Sequence, residues 1–143
     1  MTPEQALQVK ALRTRSDRSE IFNYVIDHLR KQGERSILAS AVDAGEVVCA
    51  YRGAEGTMCA VGALITDDEY DREWEGRGVA RLAGERDLPA SLRERLSPHV
   101  AMLIDLQRFH DNFLGSPDAF EHGRFSERVE EILLYLREDW DIQ

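Results

Sequence analysis

The sequence predicts a mainly α-helical single domain that carries one small β-hairpin. Three observations carry that expectation. Apolar residues recur at helical spacing in three stretches, at 21–29, 100–114 and 129–140. Each stretch opens on helix-starting residues: Asp17, Ser97-Pro98 and Ser126. Between them lie two β-branched and aromatic runs, 47–51 and 57–61, flanking a glycine-rich turn. The size, 143 residues and 16.3 kDa, suits one domain spanning 1–143. A chain of this length buries roughly 68% of its unfolded surface, which is enough for one core.

The elements follow in order. Thr2-Pro3-Glu4-Gln5 reads as a helix start, with Thr2 as N-cap, proline in the first turn and Gln5 at the capping-box position. That helix fades near Leu12. Asp17 to Glu20 repeats the capping-box spacing, and Ile21, Phe22, Val25, Ile26 and Leu29 form the apolar stripe of a second helix. Arg30 and Lys31 suit its last turn, and Gly33 suits its C-terminal cap. These helices fill an N-terminal part, 1–36.

Residues 34–46 give no clear signal. Val47–Tyr51 and Thr57–Val61 predict the hairpin, with Gly56 in the left-handed position of a three-residue loop. Hairpin and motif loop span 47–76. Residues 66–75 are mostly acidic, with Tyr70 and Trp74 as anchors. In the helical part, 77–143, a short helix ends at Gly84 and another runs from Pro89 to Leu96. Ser97-Pro98 opens a helix to about Leu114. A loop follows at 115–118, and Ser126 caps a last helix with Val129, Ile132, Leu133, Leu136 and Trp140 on one face. A lone hairpin is marginal in water, so it must pack on helices.

Composition excludes several classes. Hydrophobic residues are 43% and charged residues 31%, the soluble globular range. No apolar run approaches the roughly 18 residues of a membrane span. The start of the chain lacks an apolar h-region, so no secretory signal is predicted. The net charge is −9 and the pI near 4.9, which argues against phosphate-driven nucleic-acid binding. Residues 1–36 hold seven Lys/Arg against five Asp/Glu, and the remainder holds eleven against twenty-two. Arg13, Arg15 and Arg18 form a small basic cluster that reads as a solvated helix end. The two cysteines, Cys49 and Cys59, read as the reduced thiols of a cytoplasmic protein.

One stretch has the character of a motif. Cys49-Ala50-Tyr51-Arg52-Gly53 leads through Gly56 to Cys59-Ala60-Val61-Gly62 and Leu64-Ile65, and on through Asp67, Tyr70 and Glu75-Gly76. It resembles a family of small uncharacterised proteins met in bacteriophages, prophages and some soil bacteria. Their pattern runs C-x-Y-R-G-x-x-G-x-x-C-A-(I/V)-G-x-L-I-x-D-x-x-Y-x-x-x-x-E-G. Their later segment is similar to Leu106-Gln107-Arg108-Phe109-His110-Asp111. About half of the chain is covered. Thr66 stands where proline is common in the pattern, and the N-terminal helix pair lies outside it. The resemblance implies a mobile-element setting and no particular reaction.

The chemistry-bearing residues each have a plain alternative. In the predicted register Tyr51 faces Cys59, and Cys49 is a diagonal step away, roughly 7–8 Å and too far for a disulfide. The nine-residue gap between the cysteines is not the tight pair that zinc sites use. Packing of two small apolar residues is the favoured reading, with metal binding or a nucleophile as alternatives. Gln107 and His110 fall within the apolar stripe of their helix, so both need hydrogen-bond partners. A cysteine beside His110 is also the arrangement of a nucleophilic enzyme. His28 and His122 follow no pattern.

Asp67, Glu69, Asp71, Glu73 and Glu75 alternate but lack the EF-hand spacing, and they read as a solvated loop. Glu75 is the exception, placed to cap or to pair with Arg52. Gly53, Gly56 and Gly62 lack the lysine of a phosphate loop. Cys49, Cys59 and His110 are thus the candidates for catalysis, and Tyr51, Arg52, Glu75, Gln107, His110 and Asp111 those for binding. No metal or cofactor is predicted.

The functional expectation is a small cytoplasmic accessory protein of phage or prophage type. It would bind a host protein or a small anionic ligand, with neither nucleic acid nor membrane as partner. An acidic surface favours a basic protein target. The alternative is a Cys/His-dependent enzyme, with Arg52 holding an anion.

Overall fold

The structure, a computed structural model, describes residues 1–12, 17–45 and 48–143. The elements run α1 (Pro3–Ala11), α2 (Arg18–Gln32), α3 (Ala39–Asp43), α4 (Val79–Ala83), α5 (Ala90–Leu96), α6 (Val100–Phe113), β1 (Phe120–Glu121), β2 (Arg124–Phe125) and α7 (Glu127–Asp139). The chain is a single helical domain with a small hairpin. Arg13 and Arg15 of the basic cluster, and Val47 of the expected hairpin, lie outside the described residues.

Local chemistry sets the helix ends. Thr2 Oγ1 accepts the Gln5 N–H at 3.1 Å, and Gln5 Oε1 accepts the Thr2 N–H at 2.8 Å, a complete capping box. Asp17 accepts the Glu20 N–H at 2.8 Å. Gly33 closes α2 at φ +72, a left-handed cap that a side chain would strain. Ser126 accepts the Val129 N–H and starts α7. Ser97 departs from expectation. It makes no capping bond, because α5 continues through a 3₁₀ turn, Ser97–His99, straight into α6.

The core lies where α2, α6 and α7 meet the short helices α4 and α5. Ile21, Phe22, Val25, Ile26 and Leu29 bury the face of α2, and Met102, Leu103, Leu106 and Phe109 that of α6. Val129 and Leu133 are the buried residues of α7, and Ile132, Leu136 and Trp140 pack partly buried against the same core.

The hairpin is not at 47–61. Ile37 and Cys49 form an isolated antiparallel bridge instead, flanked by Leu38 N–H to Val48 C=O (2.6 Å) and Ala50 N–H to Ser36 C=O (3.2 Å). The partner of this run is thus a segment that gave no signal in the sequence. The second run forms no strand. Residues 59–65 wind into tight turns, with Ala63 N–H to Cys59 C=O and Leu64 N–H to Val61 C=O.

The physical reason is that side chains take the ladder's place. Glu75 accepts the Tyr51 and Arg52 N–H groups at 2.9 and 3.0 Å. Gln32 holds both the N–H and the C=O of Met58, and Gln107 accepts from the Val61 N–H. Each orphan backbone group finds a partner without a neighbouring strand.

The hairpin that does exist pairs Phe120 with Phe125 and Glu121 with Arg124. His122 and Gly123 make its turn at φ +52 and +75, the left-handed pair of a type I′ turn. Phe125 packs edge-on against Phe109, which fixes the hairpin to α6.

The acidic run is not simply solvated. Glu69 is only 8% exposed and pairs with Arg95, 1% exposed, at 2.8 Å. Arg95 also donates to the Leu64 and Leu12 carbonyls, joining α5 to the motif turn and to the end of α1. Trp74 is buried and meets Tyr70 edge-on, so both aromatics anchor the loop.

Candidate functional site

The motif residues converge on one concave pocket of about 340 Å³. Its walls include Cys49, Tyr51, Cys59, Glu75, Gln107 and Asp111. Three segments build it: the bridged run 48–51, the turn 75–79 leading into α4, and the second half of α6.

α6 turns His110 inward, as its place in the apolar stripe predicts. His110 is fully buried behind the pocket. Its Nε2 accepts the Ser36 N–H at 3.0 Å, so the ring proton sits on Nδ1 and is donated to Asp111 Oδ1 at 2.7 Å. Gln107 Nε2 donates to the same oxygen at 2.9 Å. The group offered to the pocket is therefore the Asp111 carboxylate, not the imidazole. Asp111 is half-buried, and burial by itself would raise its pKa. Donors from His110, Cys49 and Gln107 outweigh burial and hold the carboxyl below its usual range.

The thiols are quiet. Burial first, then the Asp111 charge and the hydrogen bond to Asp111, pushes the Cys49 thiol up to about 12. Burial likewise pushes Cys59 up to about 12, and its Sγ accepts the Gly62 N–H at 3.3 Å. Neither cysteine is in a disulfide.

Cys49, His110 and Asp111 offer ligand atoms within 4.8 Å of one another, a donor set of the kind zinc takes. The histidine does not fit that role. Coordination through Nδ1 would require the proton on Nε2, where the Ser36 N–H already points, and two donors would collide.

Arg52 and Glu75 do not form the expected ion pair. The Arg52 guanidinium reaches Asp67 at 3.0 Å and the carbonyls of Gly62 (2.8 Å) and Ile65 (2.5 Å). It locks the turn 59–65 from outside, while Glu75 takes backbone N–H groups and the Tyr70 hydroxyl at 2.6 Å. The Tyr51 hydroxyl donates to the Arg77 carbonyl at 2.5 Å. Tyr51 and Glu75 thus build the wall of the pocket, and Arg52 holds the turn 59–65 that carries Cys59. Gly62 is required there: a Cβ on it would lie 2.2 Å from the Tyr51 carbonyl oxygen.

A second, larger concavity of about 870 Å³ lies between α1, α2 and the turn 54–58. His28 lines it and donates from Nε2 to the Met58 carbonyl at 3.1 Å. His122 is a turn residue and belongs to neither site. Sequence reasoning passed over Ser36 and Gln32, which lie 74 and 26 residues from the groups they hold and give no local signal. It also passed over Arg95. Arg95 stands between Leu92 and Leu96 on the apolar face of α5, unlike Arg93, and that position was the available sign.

No family model, curated protein or solved structure matches the chain. No helix among the described residues is long and apolar enough to cross a membrane.

Proposed function

We propose that the protein is a small cytoplasmic accessory protein of phage or prophage type that works by binding a basic protein of its host. The observation that carries the reading is the charge of the larger cleft. Glu4, Asp27, Glu34 and Glu55 line it, against Lys31 and Met1, whose N-terminal ammonium is held by Asp67 at 3.1 Å. Such a cleft concentrates negative potential and steers a positively charged partner, which suits a chain of net charge −9. The same sign opposes nucleic acid and a small anionic ligand. The motif at its fixed spacing supports the mobile-element setting.

The competing reading is a Cys/His enzyme. Against it stand two thiols held protonated and an imidazole whose two nitrogens are engaged by Ser36 and Asp111. A thiol nucleophile needs a free base or a lowered pKa.

The test is capture from host lysate with the wild-type chain beside a Glu34→Lys/Glu55→Lys variant, each at low and high salt. The reading expects a basic protein retained by wild type at low salt, released at high salt and lost with the variant. Identical captured sets for the two chains would overturn it.

A further inference from the structure

The motif pocket shares no lining residue with the acidic cleft, and it has its own chemistry. We infer that this pocket is a receptor for a protonated amine or guanidinium group on a short alkyl stem, with Asp111 as its counter-ion. The inference stands apart from the proposed partner cleft.

Four observations lead there. First, the pocket floor is a carboxylate whose charged form is secured from behind. His110 and Gln107 both donate to Oδ1, and the Cys49 thiol donates as well. A carboxylate offers about four acceptor sites. Three donors leave room for the N–H of a ligand. Second, the carboxylate has no cation of its own. Among the described residues its one ion-pair partner is the His110 ring, whose geometry is that of a hydrogen bond from Nδ1. Arg35 donates to the backbone carbonyl of Asp111, and Arg77 at the rim is turned to Glu85 at 2.9 Å.

Third, the second carboxylate at the wall, Glu75, adds negative charge while its oxygens serve the backbone of Tyr51 and Arg52. Any ligand bearing a negative group is repelled by both. Fourth, apart from Arg77 at the rim, the wall between Glu75 and α4 is apolar or bare. Val48 and Val79 supply alkyl surface, and Gly76 and Gly78 supply none. Such a wall accommodates a methylene chain leading to a charged head.

A metal cation fits less well than an organic one. The tautomer that Ser36 imposes removes His110 from the ligand set. The Asp111 carboxylate and the Cys49 thiol that remain fall short of the three or four protein ligands of a zinc site, whereas a carboxylate alone suits a hydrogen-bonding ammonium. The same group could reach the pocket as a free small amine or as a lysine side chain of a peptide, and the test separates the two.

The experiment is an amide NMR titration of the full chain with n-butylammonium, n-butylguanidinium, N-acetyl-lysine methylamide, n-butanol and Zn²⁺. The expected result is saturable shifts at the backbone amides of Gly76 and Gly78 and at the Gln107 side-chain amide with at least one of the charged alkyl probes, at about millimolar concentration. Binding of the butyl cations alone assigns a free amine, and binding of the capped lysine also admits a peptide side chain. Asp111→Asn should weaken binding by at least about tenfold, the value of a charge-assisted hydrogen bond.

Should Asp111→Asn fail to fold, Gly78→Leu serves. Gly78 has an ordinary φ of −68, and a Cβ there meets nothing within 4 Å. The leucine should narrow the pocket and abolish binding, while an unchanged amide spectrum away from α4 shows that the chain is folded even if the N-cap of α4 is weakened. The inference is overturned if no charged probe saturates, if n-butanol binds as well as n-butylammonium, if Asp111→Asn binds equally, or if Zn²⁺ alone occupies the pocket.

Discussion

Glu69→Gln isolates the buried Glu69–Arg95 pair with the least change of shape. Glu69 accepts the Thr66 N–H on Oε1 at 2.9 Å and the Ser91 hydroxyl on Oε2 at 2.7 Å; the glutamine keeps one acceptor oxygen for Thr66, and its amide N–H can donate to the Ser91 hydroxyl instead. The variant leaves the Arg95 charge, 1% exposed, without a carboxylate, on neutral oxygens alone: the glutamine amide oxygen and the carbonyls of Leu64 and Leu12. Stranding one member of a buried pair costs about 3–5 kcal/mol. For a chain near this length each kcal/mol lowers Tm by about 2–4 °C, so a drop of about 10 °C is expected.

The pH dependence supplies an independent check. Burial works to raise the Glu69 carboxyl, but Arg95, the Thr66 N–H and Ser91 hold it below its ordinary 4.5. A depressed carboxylate contributes its stability in full above the unfolded pKa, and loses it as pH falls through the lower folded value. Wild-type stability should therefore decline below about pH 4.5, and Glu69→Gln should lack that part of the decline. The assay is urea unfolding across pH, completed as a double-mutant cycle with Arg95→Met. The double variant should be more stable than the two single costs summed, by about 1–3 kcal/mol. A Glu69→Gln cost under about 1 kcal/mol, or strict additivity, would refute the reasoning.

Two further outcomes follow from the site. Iodoacetamide at neutral pH should modify Cys49 slowly and Cys59 only on unfolding, since both thiols sit near pKa 12; rapid alkylation of either, read by mass spectrometry, would contradict their burial and their bonds. Gly62→Ala should destabilise by at least about 1–3 kcal/mol, because its Cβ would press on backbone at 2.2 Å, and an unchanged melting curve would show that the turn can shift.

The sequence by itself determined α1, α2, α6 and α7, because their signals are local, but gave no sign of α3, whose five residues carry no capping side chain. Thr2 with Gln5, Asp17 with Glu20, Gly33 and Ser126 each act within one turn, and the stripes of α2 and α7 follow from the 3.6-residue period. It also marked out the motif residues that meet in one pocket. It misplaced the hairpin. β-branched composition at 47–51 and 57–61 signalled extended chain, but not which groups would satisfy its backbone. Those are Glu75, Gln32, Gln107 and the segment 36–38, all distant in sequence. The hairpin that formed has the His122-Gly123 turn as its local sign, readable only by noting that histidine tolerates the left-handed region.

Helix periodicity placed His110 on the inward face of α6, and tertiary structure decided what it meets there and that the Asp111 carboxylate lines the pocket. His110 and Asp111 are neighbours, about 100° apart around α6, so the two face different surroundings. The Ser36 N–H, supplied by the strand-like run beside Cys49, engages the inward imidazole and leaves the carboxylate outermost. That choice turns an apparent cysteine–histidine pair into an anionic receptor. It rests on a hydrogen bond spanning 74 residues, beyond the reach of any periodicity in the sequence.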